Sequence, residues 1–467
     1  MYGRNRVTPP KAARDVSETV GNTTYLRCLF DFGYGPLELS DIRIGTTPIT
    51  QFEGVETEIL QGWPGEDSSV GLYPSAIRQD SFSLKVSAAG GPQIIESRDN
   101  TVELGIDLTF NGIFRVDRGD GNTYPTSAGV RLEYRRVGEP AWSPWADDVI
   151  TPAPTTGTYT ESFRKAVGTP GRYEVKITRT TPDTEASQEV RSTFFVTALR
   201  SVQPGRPVLA KGRCLLGLRI RATDQLNGTI QDLSAISEAL LPVWNGTTWA
   251  YQKTRTPAWA YLDVLRGNAN RFPVADDRIQ LADFLAWAAR TDAIQPDGGP
   301  KQTFDGVIDT RSTVFQTLRD IATAGRAAPA MRDGKFSIVE DIPQTVPIQH
   351  FTPRNSWGFV GAKVFSETWH GVRVRFVDPD RDWQQAELVV YADGFDETNA
   401  SRVDTLDLFG CTRRAQALRE GRYHLAAATL RPELYELNCD VENLLCTRGD
   451  LVRVTHDVPL WGQAGAG

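Results

Sequence analysis

The sequence is poor in the residues that do most metal and redox chemistry. Only five of its 467 residues are cysteine, at Cys28, Cys214, Cys411, Cys439 and Cys446; no two are spaced C-x-x-C and their number is odd. A disulfide framework is therefore not expected, and folding in a reducing cytoplasm is the default. Histidine is scarcer still: His350, His370, His424 and His456 all fall in the last 118 residues, without H-E-x-x-H or any other ligand spacing. That pattern argues against a zinc site and against a His-dependent triad. Walker loops, G-x-S-x-G and a G-x-G-x-x-G after a strand are missing, which removes the common signatures of nucleotide binding and acyl transfer. No cofactor, metal or catalytic residue is assigned from the sequence.

Long apolar runs are also lacking. No stretch of about 18 apolar residues occurs, and Met1-Tyr-Gly-Arg-Asn-Arg6 has no apolar middle of the secretory kind. The expectation is a chain that neither spans a membrane nor exports itself, so the sequons at Asn22 and Asn227 carry no weight. Positive charge is thin as well. The net charge is −7, only nine of the 51 basic residues are lysine, and none form a strip that would track a phosphate backbone. Sequence-specific nucleic-acid binding is disfavoured.

What is present is material for several folded cores. With 40% hydrophobic residues over 467 positions, the chain exceeds the size at which one core stops growing, and about three domains are expected. Glycine (41) and proline (28) punctuate short alternating segments through the first 200 residues, a pattern of strands and turns. Alternation is cleanest between 101 and 200. Val102, Leu104, Ile106, Leu108 and Phe110 share one strand face, with Glu103 and Asp107 on the other; Val130, Leu132 and Tyr134, then Tyr173, Val175 and Ile177, repeat the pattern. One wet and one buried face per strand predict a two-sheet sandwich over 101–200, with Trp142 or Trp145 as core aromatic. The run Gly171-Arg-Tyr-Glu-Val-Lys-Ile177 resembles a late strand of a fibronectin type III or immunoglobulin-like module.

After residue 200 helical signals enter. Thr256-Pro257 caps a helix whose apolar set is Ala258, Tyr261, Leu262 and Leu265, closed by Gly267. Further helices are expected at 281–290, at 312–323 with Val314, Phe315, Leu318, Ile321 and Ala322 on one face, and at about 412–427. Strands are expected at Leu216–Ile220, Val372–Phe376 and Leu451–Val454. Asn245-Gly246 and Asp333-Gly334 read as two-residue hairpin turns. The fold class is mainly β with short helices, α+β, with residues 201–467 forming small barrels decorated by helices.

Three acidic clusters invite a chemical reading. Asp378-Pro-Asp380-Arg-Asp382 opens like a calcium loop but has Trp383 at the sixth place and Val389 at the twelfth, so a solvated turn is expected. Asp117-Arg-Gly-Asp120-Gly-Asn122 contains an Arg-Gly-Asp triplet, and a hairpin tip is expected. Asp276-Asp277 precede an apolar helix face, where carboxylates cap free N–H groups; paired acid/base chemistry is the second choice there.

Four segments carry a family resemblance: Tyr25-Leu-Arg-Cys28 through Asp41-Ile-Arg-Ile44-Gly45, Phe376-Val-Asp-Pro379 after an alternating strand, Phe409-Gly-Cys-Thr-Arg-Arg-Ala-Gln416 leading into a helix, and Arg448-Gly-Asp-Leu-Val-Arg-Val454. In this order they resemble the tail-tip attachment, or host-specificity, proteins of long-tailed bacteriophages of the lambda type. The resemblance implies a central tail hub. Residues 1–100 would begin a hub barrel region, 101–200 would be an inserted fibronectin-like sandwich, 201–300 would continue the barrel and 301–467 would form a second barrel domain. It implies three copies closing the tail tube at the virion tail tip after synthesis in the host cytoplasm, with distal tail ring proteins and the tape measure as partners. It also implies a part in DNA delivery. A receptor on the host outer membrane would be met only through regions beyond this sequence, so the chain reads as a truncated portion. The alternative is a carbohydrate-active enzyme or binding module. The eleven tryptophans would suit sugar stacking, but their scatter suits packing better. A monomeric adhesin would need an export route.

Overall fold

The structure, a computed structural model, describes residues 1–20, 23–73, 75–184, 189–222, 230–267, 269–363, 369–441 and 445–456. Strands hold 47% of the chain and helices 14%, so the molecule is mainly β, as its alternation predicts. Contacts divide it into two units, Val7–Ala235 and Met1–Arg6 with Ile236–Gly467.

The first unit contains the sandwich. One sheet runs in the order Thr123–Tyr124, Thr101–Val116, Phe194–Gln203, Ala76–Val86, and Thr155–Gly171 and Val190–Arg191 also pair with the long strand Thr101–Val116. The facing sheet runs Ser143–Ile150, Ala128–Arg136, Tyr173–Arg179, Gln93–Glu96. Leu104, Ile106, Leu108 and Phe110 from the first meet Val130, Leu132, Val175 and Ile177 from the second in one buried cluster. Each such side chain stabilises the fold by about 1.5–3 kcal/mol. Three expectations are corrected. The sandwich starts at Ala76, not at 101, because Ala76–Val86 is an edge strand of mixed polarity (AIRQDSFSLKV) whose alternation is too weak to read. Of the two expected core aromatics, Trp145 is partly buried and packs against the core while Trp142 is outside it, and the fully buried rings are Phe110 and Phe194, with centroids 5.3 Å apart. Trp142 instead lies between Arg135 (4.3 Å) and Lys176 (4.5 Å), a cation–π arrangement on the sheet's outer side. Finally, the face that carries Asp107 is not wet, since Asp107 is only 5% exposed.

This unit also holds a sheet ordered Val16–Val20, Thr23–Tyr34, Arg213–Arg221, Glu56–Leu60. The expected strand at Leu216–Ile220 is present, and Leu218 stands opposite Cys28 across 190 residues of sequence. The chain thus leaves this sheet, builds the sandwich and returns.

In the second unit α1 (Pro257–Arg266) starts after Thr256 and stops at Gly267, as expected. It packs with α2 (Leu281–Thr291) and α3 (Val314–Ala324) through Tyr261, Phe284, Trp287 and Ile321. The apolar face of α3 is narrower than its sequence suggests. Thr317, Leu318, Ile321 and Ala322 are buried, while Val314 and Phe315, in the first turn, are exposed. Asp333-Gly334 forms the expected two-residue turn, both residues having positive φ (50° and 75°) between the paired Arg332 and Lys335. Asn245-Gly246 does not. Trp244 pairs with Trp249, and Asn245 Oδ1 accepts from the N–H groups of Thr247 (3.0 Å) and Thr248 (2.9 Å), a four-residue loop held by a side chain. The last helix, α4 (Arg414–Leu430), lies on the sheet Gln384–Tyr391, Gly371–Asp378, Val403–Asp407.

Candidate functional site

The acidic motifs fall into local structure. At Asp378–Asp382 the chain makes a single 3-10 turn between the paired strands Gly371–Asp378 and Gln384–Tyr391. Asp378 Oδ1 accepts from the N–H of Asp380 at 3.0 Å, and Asp382 and Trp383 both have positive φ (55° and 61°). The Asp378 carboxylate serves the turn, and that of Asp382 faces Arg6 at 3.8 Å. Asp117–Asn122 is a hairpin tip: Asp117 and Asp120 each accept from a backbone N–H two residues on, at 2.7 and 2.8 Å. Asp276 and Asp277 do not cap α2, which begins at Leu281. They form their own 3-10 turn, where Asp276 holds Arg266 (2.6 Å) and the indole N–H of Trp249 (3.1 Å), while Arg266 lies 3.8 Å over that ring. Asn22 and Asn227 lie outside the described residues.

The histidines make four different contacts. His350 Nε2 meets Thr455 Oγ1 at 3.1 Å, His370 stacks on Phe395 at 3.9 Å and accepts from the Ser401 N–H, and His456 stacks on Phe359 at 4.5 Å. His424 sits on α4 against Tyr423. Among the described residues no group of three or more His, Cys, Asp or Glu could hold a metal ion.

The constellation that sequence reasoning missed lies where α3, the hairpin Ala327–Glu340 and α4 surround a cavity of about 630 Å³. Its polar wall is built of pairs. Arg326 Nε donates to Glu420 at 2.8 Å and its guanidinium lies 3.9 Å from the Tyr423 ring. Asp341 binds Arg431 through both oxygens (2.7 and 3.0 Å) and accepts from the Tyr423 hydroxyl. The Arg431 hydrogen bond holds the Asp341 carboxyl below the usual carboxylate range. Cys411 also faces the cavity, and burial pushes its thiol up to about 12, so it stays protonated near neutral pH. Beside the cavity Asp305 is a fully enclosed node: Arg255 binds both of its oxygens (2.7 and 2.6 Å) and Thr412 Oγ1 donates at 2.6 Å. Gln416 on α4 ties the same segment through Thr303. These partners are separated by 50 to 113 residues, and no local spacing announces them. Paired charges of this kind fix the angle of α4 against its surroundings.

Comparison with known proteins finds similarity in two separate parts of the chain. Residues 77–205, the sandwich, match the family model described as the FNIII-A domain of tip attachment protein J. Residues 365–466 match the model of a putative phage tail protein. Together these matches bear out the resemblance to phage tail-tip attachment proteins. The chain is similar to Tip attachment protein J of Escherichia phage SECphi27, with 24% identity over 470 residues, covering 91% of this chain and 37% of that protein. It therefore spans a little over a third of that relative's length. Among solved structures, it is similar to the receptor-binding domain of spike protein P1 from bacteriophage PM2, at 15% identity over 29% of this chain and 98% of that one, with a TM-score of 0.19. Another likeness is to a CBM22-1 xylan-binding domain from Paenibacillus barcinonensis, at 9% identity over 38% of this chain and 94% of that one, with a TM-score of 0.15. Likenesses at such TM-scores carry no argument about fold or ligand.

Proposed function

We propose that the chain is a structural component of the tail tip of a long-tailed phage, part of a central hub that closes the tail tube and supports host attachment and DNA delivery. The observation that carries this reading is the similarity to a tip attachment protein along 91% of the chain, with matches to two phage-tail family models in the fibronectin-like and C-terminal parts. The homotrimer, the distal tail ring and tape-measure partners, the virion location and synthesis in the host cytoplasm belong to the same proposal. So does the lack of catalysis. In support, Cys411 is held as a thiol, and the carboxylates Asp305, Asp341 and Glu420 are each committed to an arginine. Electron microscopy of assembled particles labelled through this chain tests the reading: a threefold ring at the tail tip is expected, and label anywhere else overturns it. Turnover of an oligosaccharide that a single Asp or Glu substitution abolishes would replace the hub with the enzyme.

A further inference from the structure

The six-stranded sheet of the sandwich turns its outer face toward the strand Val16–Val20, and the layer between them is ionic. Asp107 and Arg200, 5% and 6% exposed, stand side by side on neighbouring strands. Arg200 Nη2 pairs with Asp107, its Nη1 donates to the Ser17 carbonyl, and Ser162 Oγ donates to Asp107. Next to them Arg164 binds Glu103 at 3.0 Å and reaches Glu18 at 4.0 Å, while Glu18 is also held by Arg27. These groups surround a cavity of about 270 Å³.

Apolar contact across this layer is slight. The sandwich core runs from Val86 to Leu199 and is closed on itself. The adjoining sheet has a separate cluster around Val16, Leu29, Val70, Tyr73 and Leu215, to which the sandwich strands add Ile77. Both connections between the two bodies lie side by side, since Ala76 pairs with Gln203 and its N–H donates to Gly205 at 3.2 Å. Gly205 has a φ of 108°, a backbone conformation that side chains resist.

We infer that the fibronectin-like sandwich is a latched module, held against the Val16–Val20 strand by the Arg164–Glu18 pair and by the hydrogen bonds of Ser17 to Arg200 and Gln79, and able to swing about the paired Ala76 and Gln203 with both cores intact. Opening exchanges this one ion pair and these hydrogen bonds for hydration and exposes little apolar surface, so screening shifts the balance toward the open form. Polar interfaces of this kind make relative motion the normal expectation.

Proximity cross-linking of the full chain tests this. Ser17 Oγ lies 3.3 Å from Gln79 Nε2, one on each side of the layer. In a Ser17→Cys, Gln79→Cys variant, the rate of bridging by a short bismaleimide is followed by mass spectrometry of the joined peptides. Alkylation of the introduced thiol in the separate Ser17→Cys and Gln79→Cys variants, read at the same peptides against the five native thiols, corrects for intrinsic reactivity. The bridging rate is expected to fall by about twofold to fivefold between about 0.02 and about 0.5 M NaCl, and to fall in low salt when Glu18→Gln is added, while the melting transition stays cooperative. A rate indifferent to salt overturns the latch. If Glu18→Gln unfolds the protein, the salt series on the unaltered layer decides alone.

Discussion

At the residue scale, Asp263 illustrates how a single buried carboxyl sets a pH dependence. It lies on α1 and accepts from the Tyr2 hydroxyl at 3.0 Å. Burial raises its pKa above the ordinary value, against the opposing pull of the Tyr2 hydrogen bond and of Arg266. A carboxyl whose folded pKa exceeds its unfolded one contributes its full stability below the unfolded value and loses it as pH rises through the folded value. Each unit of elevation is worth about 1.4 kcal/mol. Asp263→Asn keeps an acceptor for Tyr2 and cannot ionise. Its stability relative to the natural protein is expected to increase from about pH 4 to about pH 7, measured by urea unfolding; a difference that shrinks over that range would contradict a raised pKa. None of this was legible in the sequence, because Tyr2 and Asp263 are 261 residues apart. The same holds for Asp107. Its place in a strand was plain from alternation, yet its partner Arg200, 93 residues away, and the strand Val16–Val20 that covers it depend on tertiary contacts.

Among the elements, α4 is decided by a missing side chain. Gly421 sits in its buried face, and a Cβ there would lie 2.7 Å from Val390 Cγ2 and 2.8 Å from Val374 Cγ2. Both neighbours are β-branched and stiff, so neither yields cheaply. Gly421→Ala gains about 1 kcal/mol of helix propensity but overpacks a filled contact at a cost of about 1–3 kcal/mol. A net loss of up to about 2 kcal/mol is expected in denaturant melts, and stabilisation would mean that the helix and sheet are less closely packed. Where local chemistry determines an element, the sequence reports it: Thr256-Pro257 and Gly267 bracket α1, and Asp333-Gly334 turns its hairpin. Where a side chain competes with the backbone, it does not. Asn245 spends its carbonyl oxygen on Thr247 and Thr248, and the two-residue turn gives way to a longer loop. The sandwich has an equally local logic, since every member of its core cluster comes from between Val86 and Leu199. Residues 76–205 expressed alone are expected to give a β domain with one cooperative melting transition, followed by circular dichroism. A disordered product would mean that the adjoining sheet is required.

For the whole molecule the decisive quantity is the number of copies. The proposed hub closes a tube, and closed rings are built from repeated surfaces. Each chain brings two compact units. If each unit supplies one wall segment, three chains supply six, and a sixfold tube is met without a new partner surface. The net charge of −7 suits a conduit, because negative walls do not retain DNA. The contacts that would close such a ring are to be sought where apolar side chains stand in the open. In the second unit Trp357, Val360, Leu430 and Leu434 are 54%, 58%, 77% and 61% exposed on or beside the two-stranded sheet Trp357–Lys363 and Glu433–Asn438. Among the described residues these two strands have no third, and a two-stranded sheet by itself is marginal in water, so association would stabilise this part of the chain. Light scattering with and without adjoining tail proteins is expected to give a mass near three times 51.6 kDa in at least one condition. Replacing Val360 and Leu434 by Ser should shift that mass toward one chain without lowering the melting temperature of the sandwich. A strict monomer or dimer under both conditions would count against the hub, whatever the family resemblance.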